Sequence, residues 1–335
     1  MKATRADVAK LAGVSTATVS YVLNGSRNVS EKSRGKVLQA VNALQYKPDM
    51  IARSMKMNET RQLSLMLNDI SNPFYGEIVM GFENAAMSKG YFVNVCTGYK
   101  NLNSYFDNYV ARRIDGVFIV AIPPKFEIGK LYDLVNNGAR VVISGNTNAD
   151  LKWVSAIECD YMNAMRKAVD HLRGLGHERI AYLSGLRSED CFDQRIEGYK
   201  CAMEEAQLTC AEELLMEGKT RSTNLQDGFE LTRELLTSGR KFTSIICTND
   251  LMAMGSIAAL EDFGLRVPDD VSVIGFDDNV FSQFWRPSIT SMSMNKFEFG
   301  AKAFDLLYTN IKKDTTGYYL NKLELKIRDS TGIRR

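Results

Sequence analysis

Two histidines, two tryptophans and six prolines are all that 335 residues hold of these types, and the first scarcity already removes a class of function. With only His171 and His177, both near one loop, a general acid–base triad has little to draw on. No Gly-x-Ser-x-Gly elbow and no Gly-x-x-x-x-Gly-Lys loop occurs, and Gly174 and Gly176 lack a third glycine and precede a strand rather than follow one. An enzyme is therefore rejected. The six cysteines (Cys96, Cys159, Cys191, Cys201, Cys210, Cys247) include no Cys-x-x-Cys pair, so they read as reduced, small hydrophobes. Neither histidine has cysteines at ligand spacing, which excludes zinc, and no metal or cofactor is expected. There is no run of 18 apolar residues and no apolar leader, so a transmembrane helix is not expected and a cytoplasmic location is.

What is present is unevenly distributed. Net charge is only +2, yet residues 1–61 carry 11 Lys/Arg against 4 Asp/Glu, leaving 31 basic and 36 acidic residues for the remainder. A basic head on a mildly acidic body is the layout of a phosphate-binding module attached to something else. The length suits two or three domains.

The head has its own grammar. Thr4 followed by Asp7 caps a helix that starts at Arg5. Val8, Ala9, Leu11 and Ala12 give it an apolar stripe. Gly13 ends it with a tight turn, and Ser15 caps a second helix whose Val19, Val22 and Leu23 face back. With the small Ala9 at the crossing point, this is a helix-turn-helix presenting Thr16, Ala17, Ser20 and Tyr21 to a major groove. A third helix opens at Val29-Ser30 and runs to about Leu44, burying Val37, Leu38, Val41 and Leu44. Residues 49–60 form a helix-competent linker, read as a hinge that folds only on DNA and wedges an apolar side chain into the minor groove.

From Arg61 onward short apolar runs alternate with helical stretches. Runs are expected at Leu63–Leu67, Tyr91–Cys96, Gly116–Ala121 and Arg140–Ser144, then Arg179–Ser184, Leu214–Glu217, Thr243–Thr248 and Val271–Phe276. Such near-continuous strands between helices mean parallel sheets buried on both faces, and two series imply two doubly wound lobes. A last helix (about Lys296–Lys313) and a strand-like tail, Tyr319–Ile327, complete them. A ligand in such a fold belongs between the lobes at the carboxyl ends of strands.

Ordered motifs along almost the whole chain make the sequence resemble the LacI/GalR family of bacterial transcription regulators. They are Asp7-Val-Ala-Lys-Leu-Ala-Gly-Val-Ser15, Thr18-Val-Ser-Tyr-Val-Leu-Asn24 and Tyr46-Lys-Pro-Asp-Met-Ile-Ala-Arg-Ser54, then Ser71-Asn-Pro-Phe-Tyr75, Gly90-Tyr91 and Asp115-Gly116. His171-Leu-Arg-Gly-Leu-Gly-His177, Arg195-Ile-Glu-Gly-Tyr199, Thr248-Asn-Asp250, Ile274-Gly-Phe-Asp-Asp278, Pro287-Ser-Ile-Thr290 and Arg328-Asp-Ser-Thr331 follow. The resemblance implies an N-terminal all-α helix-turn-helix domain (1–48), a hinge (49–60) and an α/β two-lobed periplasmic-binding-protein-like core (61–335). One lobe then comprises about 61–160 and 292–320, the other about 161–291 and 321–335. It implies a homodimeric repressor on double-stranded operator DNA, whose operator affinity is set by a small-molecule effector such as a sugar or sugar derivative, with no membrane partner. The chain ends at Gly332-Ile-Arg-Arg335 without a leucine heptad extension, so a dimer is expected rather than a tetramer.

By position in the family pattern, Ser15, Thr16, Ala17 and Tyr21 would meet base edges. Thr4, Thr18, Ser20, Asn24, Asn28, Ser30 and Ser33 would meet phosphates, and Arg5, Ala52, Met55 and Lys56 complete the expected DNA contacts. Tyr21 replaces a frequent arginine, Met55 a usual leucine wedge, and Asp49 a usual asparagine. For the effector, Arg195 and Asp277 match the family's two charged positions and would act together. Phe74 and Tyr75 would line the pocket, with Asp160 and Asn249 as companions. The loop at Lys219-Thr-Arg221 offers cations where relatives place a sugar-stacking aromatic; it reads as a solvated loop ahead of a hint of an acidic effector. The competing reading keeps the two-lobed body as a plain solute-binding protein, against which the basic head argues.

Overall fold

The computed structural model describes residues 3–23, 25, 29–47, 59–98, 102–120, 127–145, 149–185, 193–218 and 223–334. Asn24, Asn28, Asp49, Ala52, Met55, Lys56, Lys219 and Arg221 lie outside them. The chain divides into two compact units, Met1–Thr60 and Arg61–Arg335.

The described residues of the first unit form three helices: α1 (Arg5–Ala12), α2 (Thr16–Leu23) and α3 (Glu31–Ala43). Thr4 and Asp7 form a reciprocal capping box at α1, satisfying two backbone donors that the helix start would otherwise leave unpaired. Gly13 follows at φ +63°, a conformation that any β-carbon would oppose. The hydroxyl of Ser15 accepts from the Thr18 amide at 3.1 Å, and Ser30 does the same for Ser33 at 3.3 Å. Val8, Ala9, Ala12, Val19, Val22, Val37, Ala40 and Tyr46 form the core. Leu11 and Leu38, expected in the buried stripes, are about half exposed, at 56% and 47%. Three helices this short surround only one narrow core, and the outer edge of each stripe stays wet.

The described residues of the second unit form two six-stranded sheets. The first sheet holds β1 (Gln62–Leu67), β2 (Phe92–Thr97), β3 (Gly116–Val120), β4 (Arg140–Ser144), β5 (Ser155–Cys159) and β11 (Tyr318–Asn321), in the order β11-β5-β4-β3-β1-β2. Around it run α4 (Phe74–Ser88), α5 (Leu102–Arg112), α6 (Gly129–Asn136) and α11 (Lys296–Lys313). The second sheet holds β6 (Ile180–Ser184), β7 (Leu215–Glu217), β8 (Ser244–Cys247), β9 (Ser272–Phe276), β10 (Thr290–Ser293) and β12 (Glu324–Lys326), in the order β12-β10-β9-β8-β6-β7. Its helices are α7 (Tyr161–Gly174), α8 (Gln194–Glu205), α9 (Leu225–Thr237) and α10 (Asp250–Asp262). All pairings are parallel except β10 with β12.

The chain passes between the sheets after β5, after β10 and between β11 and β12. The single tail strand expected at 319–327 is therefore two strands in different sheets, broken at Lys322-Leu323. Strands β5 and β10 have no counterpart among the expected apolar runs. β10 reads Thr-Ser-Met-Ser, and its hydroxyls are bonded within the fold: Ser291 donates to Asp250 at 2.6 Å and Thr290 to the Arg328 carbonyl at 3.2 Å. Polar residues can occupy a central strand when each finds a partner.

Candidate functional site

On the head, α2 puts Thr16, Ala17 and Tyr21 on its exposed side, Tyr21 at 56%, while Val19 and Val22 point into the core and Thr18 and Ser20 sit at the boundary. Ser15, Thr4 and Ser30 act at helix starts, and Ser33 packs beside Ser30 with their hydroxyls 3.0 Å apart. Arg5 is half-buried, with a buried Nε that has no hydrogen-bond partner among the described residues. Hydroxyls clustered at helix starts are groups that dock on phosphates, and an exposed helix flank is what enters a major groove.

In the second unit, Phe74 and Tyr75 open α4, directly after Pro73, with the Phe74 amide bonded to the Asn72 side chain at 3.0 Å. Their rings meet edge to face at 5.2 Å. Asp277 follows β9 at φ +99° and Asp278 at φ +47°, two consecutive residues in the left-handed region. Lys296, in the first turn of α11 and only 4% exposed, donates to the carbonyls of both at 2.9 Å and lies 3.5 Å from Glu77 of α4. A buried ammonium thus holds the strained turn and ties it to the opposite lobe's helix. Among the described residues the Asp277 carboxyl has no hydrogen-bond partner. Burial pushes its pKa well up, the neighbouring Asp250 adds to that, and Arg195 and Lys296 oppose it. Tyr75 is also raised, by burial first and then by Asp277. Tyr75, Asp277 and Arg195 are thus brought into one electrostatic environment.

Arg195, expected to read the effector together with Asp277, is engaged within the protein. Arg195 gives Nε and Nη2 to Asp193 at 3.1 and 3.2 Å and Nη1 to the Thr248 carbonyl at 3.2 Å, and it stacks 4.9 Å over the Tyr161 ring. Asp193 is the N-cap of α8, two residues before its partner. Asn249 is likewise engaged: it caps α10 through Met252 and donates to the Thr223 carbonyl at 2.8 Å. Asp160 caps α7 through Asn163 at 3.1 Å. Sequence reasoning missed Asp193, Tyr161 and Lys296; a carboxylate two residues before Arg195 was the one available signal. Because the Asp193 side chain is only 2% exposed and that of Arg195 17%, Asp193→Ala should leave a buried guanidinium without its counter-charge. We expect a loss of about 3–5 kcal/mol, read by denaturant unfolding; a loss below about 1 kcal/mol would mean that the pair is interchangeable with solvent.

Behind the turn, Asp250 accepts from the Asn279 amide and from Ser282 and Ser291, at 2.8, 2.5 and 2.6 Å. Burial nevertheless pushes its carboxyl up to about 6, against the opposing effect of those hydrogen bonds. A carboxyl raised in the folded state binds its proton more tightly there than in the unfolded chain. Its contribution to stability is therefore fully present below about pH 4 and is lost as pH rises through about 6. Wild type should lose about 2–3 kcal/mol relative to Asp250→Asn across that interval. Parallel pH dependences of the two proteins would refute the shift. A separate cavity of about 540 Å³ lies at the crossovers, beside Ser293, Asn295, Asn321 and Lys322. None of the expected effector residues lines it. No described helix is long and apolar enough to cross a membrane.

A helix-turn-helix head followed by a two-lobed body with an acidic, aromatic inner turn defines the class: a DNA-reading module joined to a ligand-binding module. Residues 4–49 match the model of bacterial regulatory proteins, lacI family, and residues 169–331 match the periplasmic binding protein-like domain. The HTH-type transcriptional repressor PurR of Histophilus somni (strain 129Pt) is 32% identical over 336 residues, 98% of each chain. That of Mannheimia succiniciproducens is 34% identical over 315 residues, 92% of each. The lac repressor dimer bound to operator and the anti-inducer ONPF superposes with a TM-score of 0.86 at 25% identity, covering 99% of this chain and 100% of that one. The regulator CelR in complex with cellobiose gives 0.74 at 27%, covering 98% and 99%. This chain belongs to the lacI family of bacterial regulatory proteins and is a DNA-binding transcription regulator.

Proposed function

We propose that the protein is a cytoplasmic, non-enzymatic homodimeric repressor. Its α2 helices would read operator DNA, and its affinity for that DNA would be set by a neutral, hydroxyl-rich effector such as a sugar, held between the lobes. The observation that carries the effector half is Asp277. Its carboxyl has no hydrogen-bond partner among the described residues, is held on a strained turn by Lys296 and shares its surroundings with Tyr75. A half-buried acceptor left unpartnered favours a ligand that brings donors. Arg195 supports a neutral ligand over an anionic one, because Asp193 and the Thr248 carbonyl already engage three of its nitrogens. Phe74, Tyr75 and Tyr161 would supply apolar faces for a ring, with Asp160 and Asn249 shaping the walls through their helix caps.

The large exposed side chains Met80, Met87 and Phe92 on one lobe and Phe281 and Phe284 on the other are available for the apolar part of a homodimer interface. The expected residue boundaries, 1–48, 49–60 and 61–335, form part of this reading.

The test is thermal melting of the full chain with neutral mono- and disaccharides, sugar phosphates, nucleobases and small acids. A ligand at 100 times its Kd adds about 2.7 kcal/mol to the folded state. At least one neutral sugar should raise the melting temperature, and Asp277→Asn should abolish that rise. A rise that survives in the variant, or one confined to the anionic compounds, would contradict the reading.

A further inference from the structure

The recognition helix has a chemical peculiarity that bears on which base pairs it can distinguish. Residues Thr16–Leu23 read Thr-Ala-Thr-Val-Ser-Tyr-Val-Leu, with no arginine, lysine, asparagine, glutamine or carboxylate. In the major groove guanine is singled out by a bidentate arginine or lysine, adenine by asparagine or glutamine, and the cytosine amino group by a carboxylate. None of these readers exists on α2. The Ser15 hydroxyl is committed to the start of its own helix, where it accepts from the Thr18 amide and lies 2.9 Å from the Thr18 hydroxyl. The exposed face consists of the Thr16 side chain, the Ala17 methyl and the ring of Tyr21. The Thr16 and Tyr21 hydroxyls can bond to more than one kind of base edge and single out none; what such a surface can single out is the 5-methyl group of thymine, which packs against alanine, threonine methyl and aromatic carbon.

We propose that α2 selects its operator by packing Ala17, Thr16 and Tyr21 against thymine methyl groups, so that its half-sites are defined by T·A pairs at the positions under α2. This rests on the DNA-binding reading above. Packing one methyl is a modest contact, about fourfold in affinity on the scale of a buried methylene. Discrimination per base pair is then weaker than a bidentate contact would provide. Most of the affinity falls to hydroxyls and cations on phosphates, which carry no sequence information. Tyr21 is the position with the greatest leverage, because a guanidinium there would restore a guanine reader to a face that has none.

The experiment alters the DNA, so folding of the protein is not at issue. Duplexes bound by the full-length protein are selected from a random library. In the enriched half-site each thymine is then replaced in turn by uracil, which lacks only the methyl, or its T·A pair by 5-methylcytosine·G, which keeps the methyl but changes the hydrogen-bonding edge. We expect thymine at two or more major-groove positions per half-site. Uracil should cost about fourfold at each, and 5-methylcytosine should retain most of the affinity. As a second arm, Tyr21→Arg should move the selected pair beneath it to G·C. Selection of guanine by the wild-type helix, or indifference to uracil at every enriched thymine, would overturn the proposal and leave DNA binding intact. A library from which no sequence is enriched, both without effector and with a sugar that raises the melting temperature, would overturn the DNA-binding reading itself, and the proposal with it.

Discussion

Val19→Asp should abolish DNA binding while leaving the unfolding of residues 61–335 unchanged. Val19 is fully buried at the meeting of α1, α2 and α3, in a core of eight residues of which four are valine and three alanine. α1 and α2 have eight residues each, well short of the length at which a helix persists alone, so their structure depends on this packing. A core of this size supplies about 3–5 kcal/mol. An unpaired carboxylate in it costs at least that much, or is relieved only by taking up a proton. The head should therefore unfold as a unit at neutral pH. The second unit has its own core and should be untouched. Calorimetry of the full chain, with DNA binding followed by fluorescence anisotropy, reads both. Retained DNA affinity would mean that α2 does not need the packing described here.

The second large effect lies where helices touch. A β-carbon on Gly300 would sit 2.1 Å from the Ile78 carbonyl oxygen, and one on Gly81 would sit 1.9 Å from that of Phe297. The crossing of α4 and α11 is thus a contact between backbones. In the other lobe Gly228 and Gly255 play the same part for α9 and α10, at 2.1 Å from the Met252 oxygen and 1.9 Å from the Leu225 oxygen. Gly300→Ala must force α4 and α11 apart, because the opposing atoms are backbone and cannot rotate away. Overpacking of this kind costs about 3 kcal/mol, which in a domain of this size lowers Tm by about 6–12 °C. The displacement would reach the cleft, since α4 begins at Phe74 and Tyr75 and α11 carries Lys296 in its first turn. Gly76→Ala is the matched control: it lies on the same helix with nothing within 4 Å of its β-carbon, and it should be neutral or slightly stabilising. Equal melting temperatures for the two variants would refute the contact.

The local rules were legible wherever one short segment contains both halves of an interaction. Thr4 with Asp7, Gly13 as a turn, and Ser15 and Ser30 as caps follow from spacing alone, and all are found. The parallel strands of hydrophobic composition were visible for the same reason. Strands β5 and β10 were not, because their polar residues look solvated until partners elsewhere in the chain are known. Glu158 of β5 accepts from the Gly145 amide at 3.2 Å, and the hydroxyls of β10 are bonded to Asp250 and the Arg328 carbonyl. Buried charge failed in the same way. Nothing local marks Lys296 or Asp250 as internal; each is held by groups at least 18 residues away. Arg195 illustrates a third limit. Its position in Arg-Ile-Glu-Gly-Tyr pointed to a role toward a ligand, but which group inside the protein engages it was decided by geometry, and that group is Asp193.

The central claim is that occupancy of the cleft changes affinity for DNA, a coupling that acts equally in both directions. The most direct measurement is an anisotropy titration of the selected operator with the full-length protein, in the absence and presence of a saturating sugar that raises its melting temperature. The account predicts a shift in operator Kd of at least about fivefold, the usual lower range of such coupling, and no shift in Asp277→Asn. An operator Kd that is the same with the cleft empty and saturated would contradict it.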